Sequence, residues 1–528
     1  MYKMRQCTGD LQDRNAGAEG NRTKSLRRVS FGIKKIKEKK MKNEQKTHYF
    51  LKARYLIIWD GHSHRQMENG YLEVRGNEIA GIYSVLPDGA EAEDLGNVAI
   101  VPGFLNLHCH PSEVYGGRSY KEDCGNLYFY DSTLYDYAGL VSLGEQSAAI
   151  QAKLNLAEII KSGCTTALIF GGPCSELEAC LAGEIGLRAY VGWGIRAGDA
   201  KEEISIWDSP DGHSLTHQFN ETAGFERIQE AVSFAKNLEG SYEGRITGLL
   251  APTQTMTCTE DMLRATRRAA DKYGIRLTTH GSEDFIEFET SIRMRGKTPV
   301  EVMAETGLLG EDLIIAHCCC ITGHSQIFMR GKDLDLLSKA KATVAHCPIV
   351  LAREGDTLET FERYQQAGVN LAIGTDTFPS DFIQEMRMAA VMGKITGRST
   401  FATSAKDIFQ AATINGASAF GRTDLGRLCV HSKADFSVFS LDTVEMSPVR
   451  DMVKNIVYSA TRHSVERVYV NGKCIMKDGV VAGIDEADLT GQLQELAETA
   501  WSKVSERDPK HRTIDVISPL SCPKVTIK

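Results

Sequence analysis

The stretch "VPGFLNLHCHPSEVYGG", Val101 to Gly117, places two histidines one residue apart, His108 and His110, at the end of an apolar run. Residues i and i+2 of an extended strand point to the same side, so His-x-His delivers two imidazoles to one place. Four more polar residues end apolar runs in the same way: His280 in "IRLTTHGSE", His317 in "LIIAHCCC", His346 in "ATVAHCP" and Asp376 in "VNLAIGTDT". Imidazoles converging with one carboxylate suit Zn2+ or another borderline divalent ion, with a position left open for water. A lone histidine at a strand end is more often a hydrogen-bonded core residue than a ligand, but ligand-capable residues at five separate strand ends reverse that balance. By contrast, His62, His64, His431, His463 and His511 fall in flanking or terminal segments and read as surface residues, with His324 just beyond the His317 run.

The elements that must position these residues follow from the rhythm of the chain. After Pro102, short continuous apolar strands alternate with helical segments, the pattern of parallel strands covered by helices. Eight such strands fall between about residues 100 and 380, the first at Phe104–Leu107, which fits a closed (β/α)8 TIM barrel. The C-terminal ends of barrel strands open on one face, where active sites are built. Before and after the barrel, runs such as "YFLKARYLIIWDG" and "RVYVNGKCIMKDG" are β-rich and broken by turn residues. The expected organisation is a disordered basic extension over 1–45 and the first part of a small β-sandwich over 46–100. The barrel then spans 101–420, the second part of the sandwich 421–482, and a C-terminal amphipathic helix and tail 483–528.

The bulk properties exclude several classes. Of 528 residues 42% are apolar and 25% charged, the balance of a soluble globular enzyme, and no apolar run is long enough to span a bilayer. Residues 1–42 carry 13 Lys/Arg against 4 Asp/Glu, while the whole chain is at −8, so the remainder is strongly acidic. An acidic body argues against a nucleic-acid polymer as substrate. The 14 cysteines form no CxxC pair and three are consecutive, Cys318 to Cys320, so neither a disulfide framework nor a cysteine zinc site is expected. A cytoplasmic enzyme with a small-molecule substrate, no nucleic-acid or membrane partner and a homodimeric assembly is the expectation.

Taken together, "PGFLNLHCH", "HGSE" (280–283), "AHC" (316–318), "HCP" (346–348), "GTDT" (374–377), "ATINGASAFG" and "KADFSVF" resemble the metal-dependent amidohydrolase superfamily, over about residues 48 to 480. The likeness is to its deaminase and chlorohydrolase branch. It implies metal ligation by His108, His110, His280 and Asp376, with His317 beside the metal steadying the reacting group. Glu283 matches the proton shuttle of the deaminase branch. Binuclear members bridge two metals with a carboxylated lysine after strand four; here "GLLAPTQT" has no lysine, which implies a single divalent ion, Zn2+ or, as the alternative, Fe2+.

The implied chemistry is hydrolytic deamination of an amino-substituted nitrogen heterocycle, purine- or pterin-like. Opening of a cyclic amide or loss of chloride from a triazine-like ring is the alternative, and a non-enzymatic scaffold is disfavoured by the intact ligand set. Asp376 takes the proton of the attacking water and Glu283 passes protons to the ring and the leaving ammonia. Arg196, Gln254 and His346 are the expected substrate contacts. The thioether nucleoside deaminases carry "APH" after strand four where this chain has "APT", with Thr253, which weighs against a nucleoside. "IVLAREG" follows "HCP" where Ser-Asn is common, which removes two hydrogen-bonding side chains near the pocket and leaves the specific substrate open. Five tyrosines between Tyr120 and Tyr137, with Phe129 among them, could stack on a flat substrate or anchor a long loop.

Overall fold

The computed structural model describes residues 47–113, 115–121, 124, 134, 137–197, 203–204 and 216–525. The basic extension, Tyr128, Phe129, Tyr130 and Tyr135 therefore lie outside the described residues.

Eight strands form one parallel sheet in which spatial order follows chain order. They are β6 (Phe104–Cys109), β7 (Cys164–Ile169), β8 (Arg188–Ile195), β11 (Ile246–Pro252), β12 (Leu277–Gly281), β13 (Leu313–His317), β14 (Thr343–His346) and β15 (Asn370–Ile373). The first and last strands meet where Cys109 and Asp376 form a parallel bridge and Asp376 N–H donates to His108 O at 2.9 Å, which closes the barrel. Alternation splits neighbouring residues between two cores. Leu105, Leu168, Leu249, Ile314, Ala345 and Ala372 fill the interior. Their neighbours Phe104, Ile169, Leu250, Ile315, Val344 and Ile373 pack outward under the helices. This two-sided burial explains why the strands read as continuous apolar runs.

The flanks join into a second sheet of nine strands. β1 (His48–Trp59), β2 (His64–Arg75), β3 (Glu78–Tyr83), β4 (Ala92–Asp94) and β5 (Val98–Pro102) come from before the barrel. β16 (Phe436–Ser440), β17 (Val465–Val470), β18 (Lys473–Lys477) and β19 (Val480–Val481) come from after it. β16 pairs antiparallel with β5, which leads straight into the first barrel strand. The sheet rolls over on itself: Ile79 of β3 exchanges backbone hydrogen bonds with residues 431–432 ahead of β16. Leu51, Leu72, Ile79, Val438 and Tyr469 are enclosed between its opposed parts. A short pair, β9 (Glu203–Ile204) with β10 (Thr216–His217), stands apart.

The C-terminal helix Glu486–Ser502 lies against the outside of the barrel, where Lys161 pairs with Glu486 at 2.8 Å and Trp501 Nε1–H donates to Gly116 O. Tyr120 and Tyr137 are buried with Leu140, Val504 and Ile517, so these two aromatics anchor their loop to the C-terminal segment. No helix among the described residues is long and apolar enough to cross a membrane, and the described cysteines are free thiols.

Candidate metal centre

His108 and His110 reach the barrel mouth through an irregularity. Leu105 and Leu107 face the interior, so strict alternation would send His108 outward. Between Asn106 and Cys109, β6 carries one residue more than β7 opposite it, a bulge that re-aims the chain. Asn106 fixes this bulge. Its fully buried Oδ1 accepts from His108 N–H and from Thr375 N–H, and its Nδ2 donates to Thr375 Oγ1 at 2.8 Å. One side chain thereby ties the strand bearing the two histidines to the strand exit bearing Asp376.

The other donors are set by strand ends. His280 shares the interior side with Thr278 on β12, and its Nδ1 lies 3.1 Å from Thr253 O at the end of β11. A carbonyl only accepts, so Nδ1 carries the proton and Nε2 presents its lone pair to the mouth. His317 and Asp376 both adopt left-handed backbone, φ 67° and 55°, as does Ser282 at 49°. Each such residue costs about 1–2 kcal/mol in strain, and the turn directs the side chain back into the mouth. Gly374 permits this approach, since a Cβ there would lie 2.9 Å from His108 Cβ.

The result is a compact cluster. Donor atoms of His108, His280, His317 and Asp376 all lie within 4.8 Å of one another. His110 Nε2 is 3.1 Å from His280 Nε2 and 3.4 Å from Asp376 Oδ1. His108 Nε2 is 3.1 Å from the same oxygen but outside hydrogen-bond geometry, and neither ring nitrogen of His108 or His317 has a hydrogen-bond partner among the described residues. Buried polar atoms are ordinarily paired. Converging, unpaired imidazole nitrogens around a carboxylate fit a divalent metal ion, which would satisfy them together.

The electrostatics agree. Burial lowers His108 to about 3 and His280 well below the usual imidazole range, with the neighbouring histidines adding to the effect, so both rings are neutral as ligation requires. Burial pushes Asp376 upward, but the close imidazoles of His108, His317 and His110 outweigh it and hold the carboxyl well below its ordinary value. Glu283 behaves oppositely: burial, then the charges of Asp376, Glu287 and Glu354, raise it well above the carboxylate range. Two carboxyls at one mouth, one shifted toward its ionised form and one toward its protonated form, are an acid/base pair in the making.

Among the remaining predicted residues, Glu283 lies with Oε1 3.5 Å from His317 Nε2, and Gln254 Nε2 donates to its Oε2 at 3.2 Å. Gln254 is therefore brought to the Glu283 carboxyl. Arg196 stands half-buried just past β8 and has no hydrogen bond or ion pair to the cluster among the described residues. His346 is two residues after outward-packing Val344 on β14, and its ring is tilted against Phe361 at 6.2 Å. It is buried beside the cluster rather than in it. His324 pairs with Glu359 at 3.3 Å. His64, read from sequence as a surface residue, is instead packed edge-on between Trp59 and Phe409, because the β1–β2 hairpin folds onto a barrel helix.

Several functional neighbours had no separate signal in the sequence. Phe170 follows β7 and its ring lies 4.1 Å from that of His280 and 5.6 Å from that of His108, walling the cluster on one side. Glu287, fully buried, accepts from Glu283 N–H at 2.9 Å and from Thr255 Oγ1–H at 3.1 Å, stapling the turn after β12 to that after β11. The Asn in "GFLNLHCH" was a legible anomaly, a polar residue inside an apolar run.

The amidohydrolase family profile matches residues 99–475, from the strand before the barrel to the return into the second sheet. The chain belongs to the amidohydrolase family. It is accordingly a hydrolase of carbon–nitrogen bonds. This amidohydrolase is 28% identical over 424 residues to the 5-methylthioadenosine/S-adenosylhomocysteine deaminase of Halobacterium salinarum, covering 80% of this chain and 91% of that protein. It is also 28% identical over 408 residues to the 5'-deoxyadenosine deaminase of Methanopyrus kandleri, covering 76% and 87% respectively. The zinc-bound adenosine deaminase of Xanthomonas campestris superposes with a TM-score of 0.71 at 21% identity, over 86% of this chain and 98% of that one, a likeness of fold.

Proposed function

We propose that this amidohydrolase is a deaminase holding one Zn2+ that hydrolyses the exocyclic C–NH2 bond of a purine-like heterocycle. The observation that carries this reading is the pairing of a cluster of metal donors with the buried Glu283 carboxyl, held 3.5 Å from His317 beside it. His108, His110, His280 and Asp376 would hold the ion, with His317 within reach of the same centre. When bound there, a divalent ion supplies Lewis acidity that brings the pKa of a water toward neutrality.

The protein's own residues do the rest. The ionised Asp376 carboxylate takes the proton of the attacking water. Glu283 donates its proton to the ring nitrogen next to the reacting carbon. It takes one back from the hydroxyl of the tetrahedral adduct and passes that proton to the departing ammonia, after which the proton held on Asp376 restores Glu283. Gln254 orients the Glu283 carboxyl through Oε2, and His317 faces its other oxygen. Phe170 excludes water from one side of the cluster and raises the strength of every electrostatic contact within it.

The purine-like assignment is supported by the relatives, whose names describe deamination of adenosine derivatives. Thr253 is compatible with a change of substrate detail within that class: its hydroxyl is occupied by Thr257 at 2.6 Å and its carbonyl by His280. The test is ammonia release by the zinc-loaded protein across adenosine derivatives, free purines, pterins and triazines. Ammonia from a purine or purine nucleoside is the expected result. Release of chloride from a chlorotriazine, or of no ammonia from any amino-heterocycle, overturns the reading.

A further inference from the structure

The stretch "IVLAREG", Ile349 to Gly355, follows "HCP" at the exit of β14 and takes no part in the proposed chemistry. It opens within a short helix, Pro348–Arg353. The start of that helix is fixed from behind, because the buried Glu385 accepts from Ile349 N–H through Oε2 at 3.0 Å. Its last residue, Arg353, reaches across to the exit of β15. There Nη1–H donates to Phe378 O, and Nη2–H donates to Thr377 Oγ1 at 3.2 Å. The guanidinium also lies over the Phe378 ring, its carbon 4.2 Å from the centroid. All three contacts fall on the two residues that directly follow Asp376.

Asp376 needs such support. Its backbone is left-handed, φ 55°, a conformation that persists only where the surroundings over-determine it. On the upstream side Asn106 holds Thr375. The peptide groups of Asp376 itself are bonded to β6, its N–H donating to His108 O and its O accepting from His110 N–H, each at 2.9 Å. Those bonds stop at Asp376. Downstream, Thr377 O accepts from Ser380 Oγ–H, a bond within the same turn. Among the described residues, the side-chain hydrogen bonds that reach Thr377 and Phe378 from another strand exit are those of Arg353.

We infer that Arg353 is a positioning residue for Asp376: by clamping the turn after it, the guanidinium holds the carboxylate where it meets His108 and His110. Those contacts are 3.1 and 3.4 Å from Asp376 Oδ1. The inference rests on the zinc centre of the proposed function. A planar fork suits the task, since it engages a carbonyl and a hydroxyl at once, which a lysine ammonium on a flexible stem does not. Burial disfavours the cation, and the charges of Glu354, Asp376 and Glu385 favour it. A charged donor makes stronger hydrogen bonds than a neutral one. Phe378 in turn packs with Tyr115 and Leu143 from the segment after β6, so the clamp joins the exits of β14, β15 and β6.

The probes are Zn2+ and Co2+ on the full-length protein. Zinc affinity is read by competition with a chelator, and the visible absorption of Co2+ bound in place of zinc reports the arrangement of its ligands. Arg353→Met keeps an apolar stem against Phe378 and removes the fork. Zinc should then bind about 10- to 100-fold more weakly, with altered cobalt absorption and wild-type circular dichroism. Arg353→Lys keeps the charge without the fork and should fall between the two. Thr377→Val removes one acceptor and should weaken zinc by about threefold. In the Arg353→Met background it should change nothing further, because the bond is already lost.

Zinc affinity and cobalt absorption that Arg353→Met leaves unchanged overturn the inference. Full rescue by Arg353→Lys overturns it too, since charge alone would then suffice. So do effects of Arg353→Met and Thr377→Val that simply add. Should Arg353→Met not fold, Thr377→Val decides by itself, and unchanged zinc affinity there counts against the clamp. Neither readout needs turnover. A lack of ammonia from every compound would therefore sink the deaminase reading and leave Arg353 in its role, whereas a wild-type protein that takes up no zinc removes both.

Discussion

The two ends of the barrel each bury a cluster of charged and polar side chains, and they treat it in opposite ways. At the start of β8, Arg188 Nε donates to Asp435 Oδ2 at 2.8 Å, Nη2 donates to Asn471 Oδ1 at 2.5 Å, and Asn471 N–H donates to Asp435 Oδ1 at 2.7 Å. These side chains are almost fully buried, and among the described residues none of their fully buried polar atoms lacks a hydrogen-bond partner. At the opposite end, His108 and His317 are as deeply buried, and none of their four ring nitrogens has a hydrogen-bond partner among the described residues. The first cluster is a joint, binding the barrel to the second sheet. The second keeps its bonding capacity for something the chain does not supply. Buried polarity alone does not mark a functional site; buried polarity left unsatisfied, on strained backbone at strand exits, does.

That contrast is open to direct attack. The largest expected effect is at the mouth: Glu283→Gln should lower kcat by about 10²- to 10⁴-fold while zinc content and unfolding midpoint stay near wild type. His280→Ala, by contrast, should lose the zinc itself, measured by elemental analysis of the same preparations. Normal turnover by Glu283→Gln would remove its assigned role. At the joint, Asp435→Ala strands a buried guanidinium and should cost about 3–5 kcal/mol in denaturant unfolding, with kcat per folded molecule unchanged. If instead stability is untouched and kcat falls, the two clusters are not functionally separate.

Glu178 sharpens the comparison because it lies between the two cases. Ser112 Oγ–H donates to its Oε1 at 2.6 Å, whereas Oε2 is buried without a partner. Burial raises it to about 7, partly offset by the Ser112 hydrogen bond and assisted by Glu113. The unfolded chain releases this proton near 4.5 and the folded chain near 7, so the native state holds more protons between those values. Its stabilising contribution is complete below 4.5 and is lost as pH rises through 7, a change of about 3 kcal/mol. Glu178→Gln should remove that part of the pH dependence, so its stability relative to wild type should rise from pH 5 to pH 8. A difference that is flat across this range would mean that Glu178 is not held in its protonated form.

Much of the site was legible because parallel strands buried on both faces tolerate few polar residues. His108, His110, His280, His317 and Asp376 therefore stood out as interruptions, and the (β/α)8 architecture placed their strand ends on one face. His346 stood out equally, but the same alternation that fills the barrel turned its ring toward Phe361. Period-two reasoning also gives the wrong side for His108 unless the Asn106 bulge is known, and a bulge is a property of two paired strands that one strand's sequence does not display. His64 was misread for a related reason: its segment is polar, and only the docking of the hairpin on the helix bearing Phe409 buries it.

The sequence by itself determined the strand-and-helix alternation, the two flanking β segments that complete one domain, and the residue types able to hold a metal and move a proton. These are carried by local pattern and by the chemistry of single side chains. Tertiary structure alone decided which of those residues meet, that Asn106 and Glu287 lock the carriers of His108 and Glu283, and that Phe170 closes one wall. Those outcomes depend on distances between segments far apart in the chain, set by barrel closure and packing, and no local pattern encodes them.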